Sequence, residues 1–118
     1  MPIIHITGLP HIVMVDDLET FIALLQEQIA RIKELGIKPE DVSINILTSQ
    51  NKTRDVQAIV EGLFKKPKRT HEVKQMLSKK IAAVISKFIK QQKLDIKLIE
   101  VIVKTFDPKK DGFVALKV

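Results

Sequence analysis

Pro2 and Arg69 are the residues of this chain whose types and positions best suit chemistry. In the opening MPIIHITGLP, proline directly follows methionine. With Met1 in place, the Pro2 nitrogen is a tertiary amide without a hydrogen to donate. With Met1 removed, it becomes a secondary amine at the chain's end, held stiff by its own ring. Such a group can act as both base and acid. An α-amino group titrates near about 7.7–8.0, and a secondary amine starts more basic. Apolar neighbours such as Ile3 and Ile4, and cations nearby, pull it towards neutrality, where proton transfer is most effective. The competing role is the head of a strand, where a missing ladder donor does no harm.

Arg69 lies in the basic loop KKPKRT, directly before a helix start. Its guanidinium can hold a carboxylate through two parallel hydrogen bonds, and the helix N-terminus adds positive potential. The competing role is a solvated charge beside Lys65, Lys66 and Lys68. Phe113 follows the turn DPKKDG and supplies either an apolar wall for a site or a core contact. Other chemistry is thin. The three histidines, His5, His11 and His71, lack metal-ligand spacing. There is no cysteine, so disulfides, thiolate metal sites and cysteine nucleophiles are excluded. No Ser-His-Asp pattern, P-loop or dinucleotide fingerprint can be assembled. The expected chemistry needs neither cofactor nor metal.

The elements that would position these residues follow from periodicity. Pro2 to Thr7 alternates and is rich in isoleucine, which predicts a strand broken at Gly8 to His11. Asp16 or Asp17 can cap a helix, with Glu19 completing a capping box. Leu18, Phe21, Ile22, Leu25, Ile29 and Ile32 form one apolar stripe. Gly36 is a left-handed stop and Pro39 prevents continuation. Val42, Ile44 and Ile46 predict a second strand, and SQNKTRD (Ser49 to Asp55) a polar turn. The pattern then recurs. Val56 to Phe64 reads as a strand. Thr70 caps a helix whose stripe runs Val73, Met76, Leu77, Ile81, Val84, Ile85, Phe88 and Ile89. Ile99, Val101 and Val103 mark a fourth strand, and FVALKV a short last one.

The fold class is therefore α/β. Two βαβ repeats, about 1–50 and 55–106, form one domain over 1–118, a four-stranded mixed sheet with both helices on one face. The other face shows Leu98 and Ile102 beside Glu100 and Lys104, too apolar for open water and too polar for a core. An oligomer interface explains it.

The net charge of +6 is lopsided. Residues 1–59 carry five Lys and Arg against eight Asp and Glu, whereas residues 60–118 carry fifteen against six. A basic half attracts anions, or simply keeps the surface hydrated. Nucleic acid ranks last among partners, because the five phenylalanines fall mostly on core stripes and base stacking needs exposed rings. No stretch reaches the apolar length that crosses a bilayer, and the start lacks signal-peptide features, so a cytoplasmic protein is expected.

The Pro2-Ile3-Ile4 start, two βαβ units and the segment Arg69-Thr70-His71-Glu72 resemble the tautomerase superfamily. That superfamily includes 4-oxalocrotonate tautomerase, 5-carboxymethyl-2-hydroxymuconate isomerase and macrophage migration inhibitory factor. SINILTSQ and AIVEGLF look like a bacterial branch without an assigned substrate. The resemblance covers the whole chain. It implies a homotrimer with its sheets around a central axis and a site near each N-terminus. It implies that the terminal proline moves a proton between carbon and oxygen of a 2-keto acid through its enol. Cationic side chains hold the small carboxylate substrate: Arg69 by motif, and Lys38 in GIKPEDV. Two departures weaken the parallel: Ser43 is uncharged where the isomerase has an arginine, and there is no tyrosine. A ligand-binding or interaction protein on the same scaffold is the alternative.

Overall fold

The computed structural model describes residues 1–49 and 54–118. Most of SQNKTRD lies outside the described residues. In chain order the elements are β1 (Ile3–Pro10), α1 (Val15–Ala30), β2 (Ser43–Ser49), β3 (Asp55–Phe64), α2 (His71–Gln91) and β4 (Leu98–Phe106). They form one sheet in the order β2-β1-β3-β4. Each helix crosses over between two parallel strands: α1 between β1 and β2, and α2 between β3 and β4. The two units meet along β1 and β3, which run antiparallel with Ile3 opposite Glu61 and Thr7 opposite Gln57. The expected mixed sheet with two βαβ units is what forms.

Alternation decides which side chains enter the core. Ile4 and Ile6 of β1, and Val56, Ala58 and Val60 of β3, are all buried beneath the helices. Phe21, Leu25 and Ile29 of α1, and Leu77, Ile81 and Ile85 of α2, close over them. Phe21 and Phe88 join the helices, with ring centroids 4.6 Å apart. On the opposite face lie Ile3, His5, Ile59, Leu98, Glu100, Ile102 and Lys104, all half-buried or exposed. His5 Nε2 sits 3.6 Å from Glu61 Oε2, and Lys104 Nζ sits 3.9 Å from Glu61 Oε1.

Both central strands contain a bulge, and it changes which residues are buried. The expected break at Gly8 does not end β1. The strand continues to Pro10, with its register shifting between Thr7 and Pro10. In β3 the shift falls between Val60 and Leu63. Each bulge inserts one residue, so Leu9 and Leu63 turn inward where strict alternation would point them outward. Gly8 and Gly62 take φ of 100° and 73°. A Cβ on Gly8 would overlap the Asp55 carbonyl oxygen, and one on Gly62 would lie 2.8 Å from the Met1 carbonyl oxygen. Each bulge thus receives the start of the opposite central strand at backbone contact.

Three boundaries differ from expectation. The α1 N-cap is Met14, without a side-chain hydrogen bond. Asp16 and Asp17 sit in the first turn instead, where their charge favours the helix dipole without capping it. The helix ends at Ala30, and Ile32 precedes a separate 3-10 turn that Gly36 closes at φ 62°. Residues 113–118 carry no strand in the single chain and are exposed, so FVALKV has no ladder partner here. By contrast, Thr70 caps α2 as expected, its Oγ1 accepting the Val73 N–H at 3.3 Å.

The bulges are testable. Gly8→Ala adds a carbonyl overlap to a left-handed backbone that costs roughly 1–2 kcal/mol for an L-residue. Urea denaturation should show a loss of more than about 2 kcal/mol.

Candidate active site

The start of β1 lies at the end of β3, because those strands are antiparallel. Pro2 is buried there, and its carbonyl accepts the Ser43 N–H at 3.1 Å, extending the β1–β2 ladder by one residue. A cavity of about 210 Å³ opens at this point. Its walls are Met1, Pro2, Gly36, Ile37, Asp41, Gly62, Phe64, Lys66 and Arg69. Two residues expected to act together, Pro2 and Arg69, therefore share one cavity, although 67 positions separate them.

Arg69 is 8 % exposed. Its Nη1 donates to the Phe64 carbonyl at 2.6 Å and its Nη2 to the Leu35 carbonyl at 2.8 Å. Its Nε is buried and has no hydrogen-bond partner among the described residues. Burial pulls the guanidinium pKa down, since desolvation disfavours the charged form. Arg69 thus ties three segments together: the end of β3, the turn after α1 and the approach to α2. It is neither the solvated loop charge nor a free carboxylate fork.

Glu72 faces the same helix start. Its carboxylate is held below the usual range first by its own backbone N–H, then by the Thr70 hydroxyl, with a smaller contribution from His71.

The other expected residues are placed less directly. Lys38 is exposed; its backbone N–H donates to Asp41 Oδ2 at 2.9 Å. Its neighbours Ile37 and Asp41 form the wall in its place. Phe113 is 52 % exposed and meets Phe64 edge-on, with centroids 5.1 Å apart. Phe106 completes this aromatic trio at 5.7 Å from Phe64 and 5.8 Å from Phe113. Phe113 therefore backs the cavity wall through Phe64.

Lys66, Phe64, Asp41 and Gly62 were missed as site residues by sequence reasoning. Lys66 had a signal, since it stands three positions before Arg69 in the basic loop. Gly62 had another, because glycine inside a strand often marks a close backbone approach. Asp41 had none.

Solved structures with this architecture share its βαβ pairs over almost the whole chain. A wild-type fused 4-OT, described as an asymmetric trimer, superposes with a TM-score of 0.67 at 17 % identity, covering 94 % of this chain and 91 % of that one. The fold is that of the tautomerase superfamily. N1, a member of the cis-3-chloroacrylic acid dehalogenase family, has a TM-score of 0.64 at 12 % identity, covering 94 % and 79 %. FG41 malonate semialdehyde decarboxylase, in a structure inhibited by 3-bromopropiolate, has 0.62 at 13 % identity, covering 96 % and 89 %. No family model and no curated protein matches the sequence. At such low identity the tautomerase fold is shared, while residue roles must be argued from this chain.

Arg69 offers a direct test of its geometry. Arg69→Ala leaves the Phe64 and Leu35 carbonyls without their charged donor, a loss of about 1.5–3 kcal/mol for each bond. Arg69→Lys should recover less than half of the lost stability, because an ammonium cannot fork to two carbonyls as a guanidinium does. Thermal and urea unfolding of the two variants would show this ordering.

Proposed function

We propose that this protein is a tautomerase-like catalyst of enol–keto proton transfer in a small 2-keto acid. Pro2, freed by removal of Met1, takes a proton from oxygen or carbon and returns it at the other position. The observation that carries this reading is that Met1 itself lines the cavity beside Pro2. Its removal creates the amine and vacates space for a ligand in one step. Met1 is 68 % exposed, which gives a peptidase access.

The surroundings suit the reaction. Phe64 and Ile37 offer an apolar wall beside the amine, and Lys66 and Arg69 provide positive charge for a carboxylate and for a developing enolate. Lys38 and Phe113 act from behind the wall, through Asp41 and Phe64. Two of the structural neighbours carry names that refer to small carboxylates, chloroacrylic acid and malonate semialdehyde, which supports the same ligand class. The reaction draws on no cofactor. The engagement of Arg69 by two carbonyls favours one alternative, a ligand-binding protein that has kept the cavity without the turnover.

A trimer belongs to this proposal. The single chain exposes 8083 Å², whereas a compact monomer of its 13.4 kDa mass would expose roughly 6,500 Å². Large apolar side chains are among the exposed residues: Leu98 and Ile102 on the helix-free sheet face, and Val114 and Leu116 in the tail. Three copies packing these faces around an axis would cover them. The fused 4-OT is likewise described as a trimer. No described helix is long and apolar enough to cross a membrane.

Two measurements test the proposal. Protein whose mass shows loss of Met1 should ketonise phenylenolpyruvate well above buffer, followed by ultraviolet absorbance. Pro2→Ala, equally processed, should lose about 100- to 10,000-fold of that rate. Equal rates in the two proteins would move the protein to the ligand-binding reading. Sedimentation at micromolar concentration should give three times the chain mass; a monomer would refute the trimer.

A further inference from the structure

The two helices carry matching patterns on their solvent side. On α1 the outward residues are Asp16, Glu19, Ala23, Glu27 and Ala30; on α2 they are Met76, Lys79, Ala83, Lys87 and Lys90. All are exposed except Ala30, which is half-buried. Both sets step by three, four, four and three residues, so each forms one stripe along its helix. The α1 stripe holds acids and no base, and the α2 stripe holds lysines and no acid. Glu27 pairs with Arg31 of its own helix at 2.7 Å. Among the described residues, the other charged members of the stripes form no ion pair. A groove of about 560 Å³ runs beside Met76, which is 45 % exposed, with Lys79 and Ala83 among its walls. The helices run in opposite directions, since Phe21 near the start of α1 meets Phe88 near the end of α2.

We propose that this helix layer docks on the helix layer of a second copy of the chain, about a two-fold axis lying along the helices, with α1 of each copy on α2 of the other. Such a contact is isologous, so every pair occurs twice. Because α1 and α2 are antiparallel within a copy, the facing helices are antiparallel too. The stripe spacing reads the same in both directions, so the register closes with Lys79 against Glu27, Lys87 against Glu19 and Lys90 against Asp16. Ala83 falls against Ala23 in the middle, where small side chains let two helices come closest. Met76 lies over Ala30. The other arrangement, α1 on α1, sets acid against acid and lysine against lysine and is disfavoured. The sheet face assigned to the trimer lies on the opposite side, so the two contacts do not compete. This inference rests on neither the trimer nor the catalysis. Exposed ion pairs are individually weak, so the association belongs to concentrated protein at low salt rather than to micromolar solution.

Sedimentation velocity at near-millimolar chain concentration tests this, with the micromolar species as reference. In about 0.01 M salt, where charges act over about 30 Å, the wild-type protein should sediment as a species at least twice as heavy as the reference. Raising the salt to about 1 M, where that range is about 3 Å, should weaken the association about tenfold or more. Two variants reverse one stripe each: Lys79→Glu/Lys87→Glu and Glu19→Lys/Glu27→Lys. All four sites are exposed helix positions, so circular dichroism should match the wild type. Each variant alone should stay at the reference mass. An equimolar mixture should associate again, because the acidic α2 of one then meets the basic α1 of the other. Both variants keep a positive net charge, so overall attraction cannot produce that rescue. A wild-type mass that does not rise with concentration, association that persists in either variant alone, or a mixture that stays dissociated overturns the docking surface. The salt comparison needs no variant, so it decides the matter even where a substitution harms folding.

Discussion

The antiparallel contact between β1 and β3 is the constraint on which the rest of this structure depends. It sets two βαβ units side by side with both helices on one face. At each end of the contact, one strand begins against a glycine bulge in the other: Asp55 against Gly8, and Met1 against Gly62. The second approach brings the start of the chain to the end of β3. There Phe64 leads into the loop carrying Lys66 and Arg69. The cavity beside Pro2 is thus a consequence of strand direction. A parallel β1–β3 pair would place the same residues at opposite ends of the sheet.

Arg69 shows how one side chain can serve stability and function together. A guanidinium this deeply buried is costly unless its donors are met. Two are met by carbonyls from segments far apart in sequence, Leu35 and Phe64. The same bonds fix the wall of the cavity and leave positive charge within it. The division of labour with Lys66 follows from reach. Arg69 is spent on backbone carbonyls, whereas the Lys66 side chain, three residues earlier, is exposed and forms no ion pair among the described residues. The positive half of the chain is therefore organised. Several of its lysines converge where β3, α2 and the turn after β4 meet.

The helix-free face has a different logic. Its isoleucines and leucines alternate along the strands with the core residues, yet His5, Glu61, Glu100 and Lys104 share that face. Mixed composition of this kind suits a surface covered by another copy that leaves part of it wet. The tail from Phe113 onward adds further exposed apolar surface. Both features are incomplete in one chain, and the proposed trimer is the arrangement that would complete them.

Strand and helix types, their order and the core stripes were legible in the sequence, because periods of two and 3.6 residues are local and strong here. Ile4 and Ile6, or Leu77, Ile81 and Ile85, need no knowledge of the rest of the chain. Pro2 and Arg69 were legible as chemistry because their functional groups are unusual wherever they stand. The bulges were not, since Gly8 read as a break and Gly62 as an ordinary strand position until the opposite strand's carbonyl explains them. Nor was the capture of Arg69 by Leu35, because a hydrogen bond across 34 residues leaves no local pattern. The same holds for Asp41 at the cavity. The sequence by itself determined which segments become strands and helices and which faces are apolar. Only the tertiary structure decided which distant groups meet, because that depends on strand direction and on close backbone contacts that residue types do not encode.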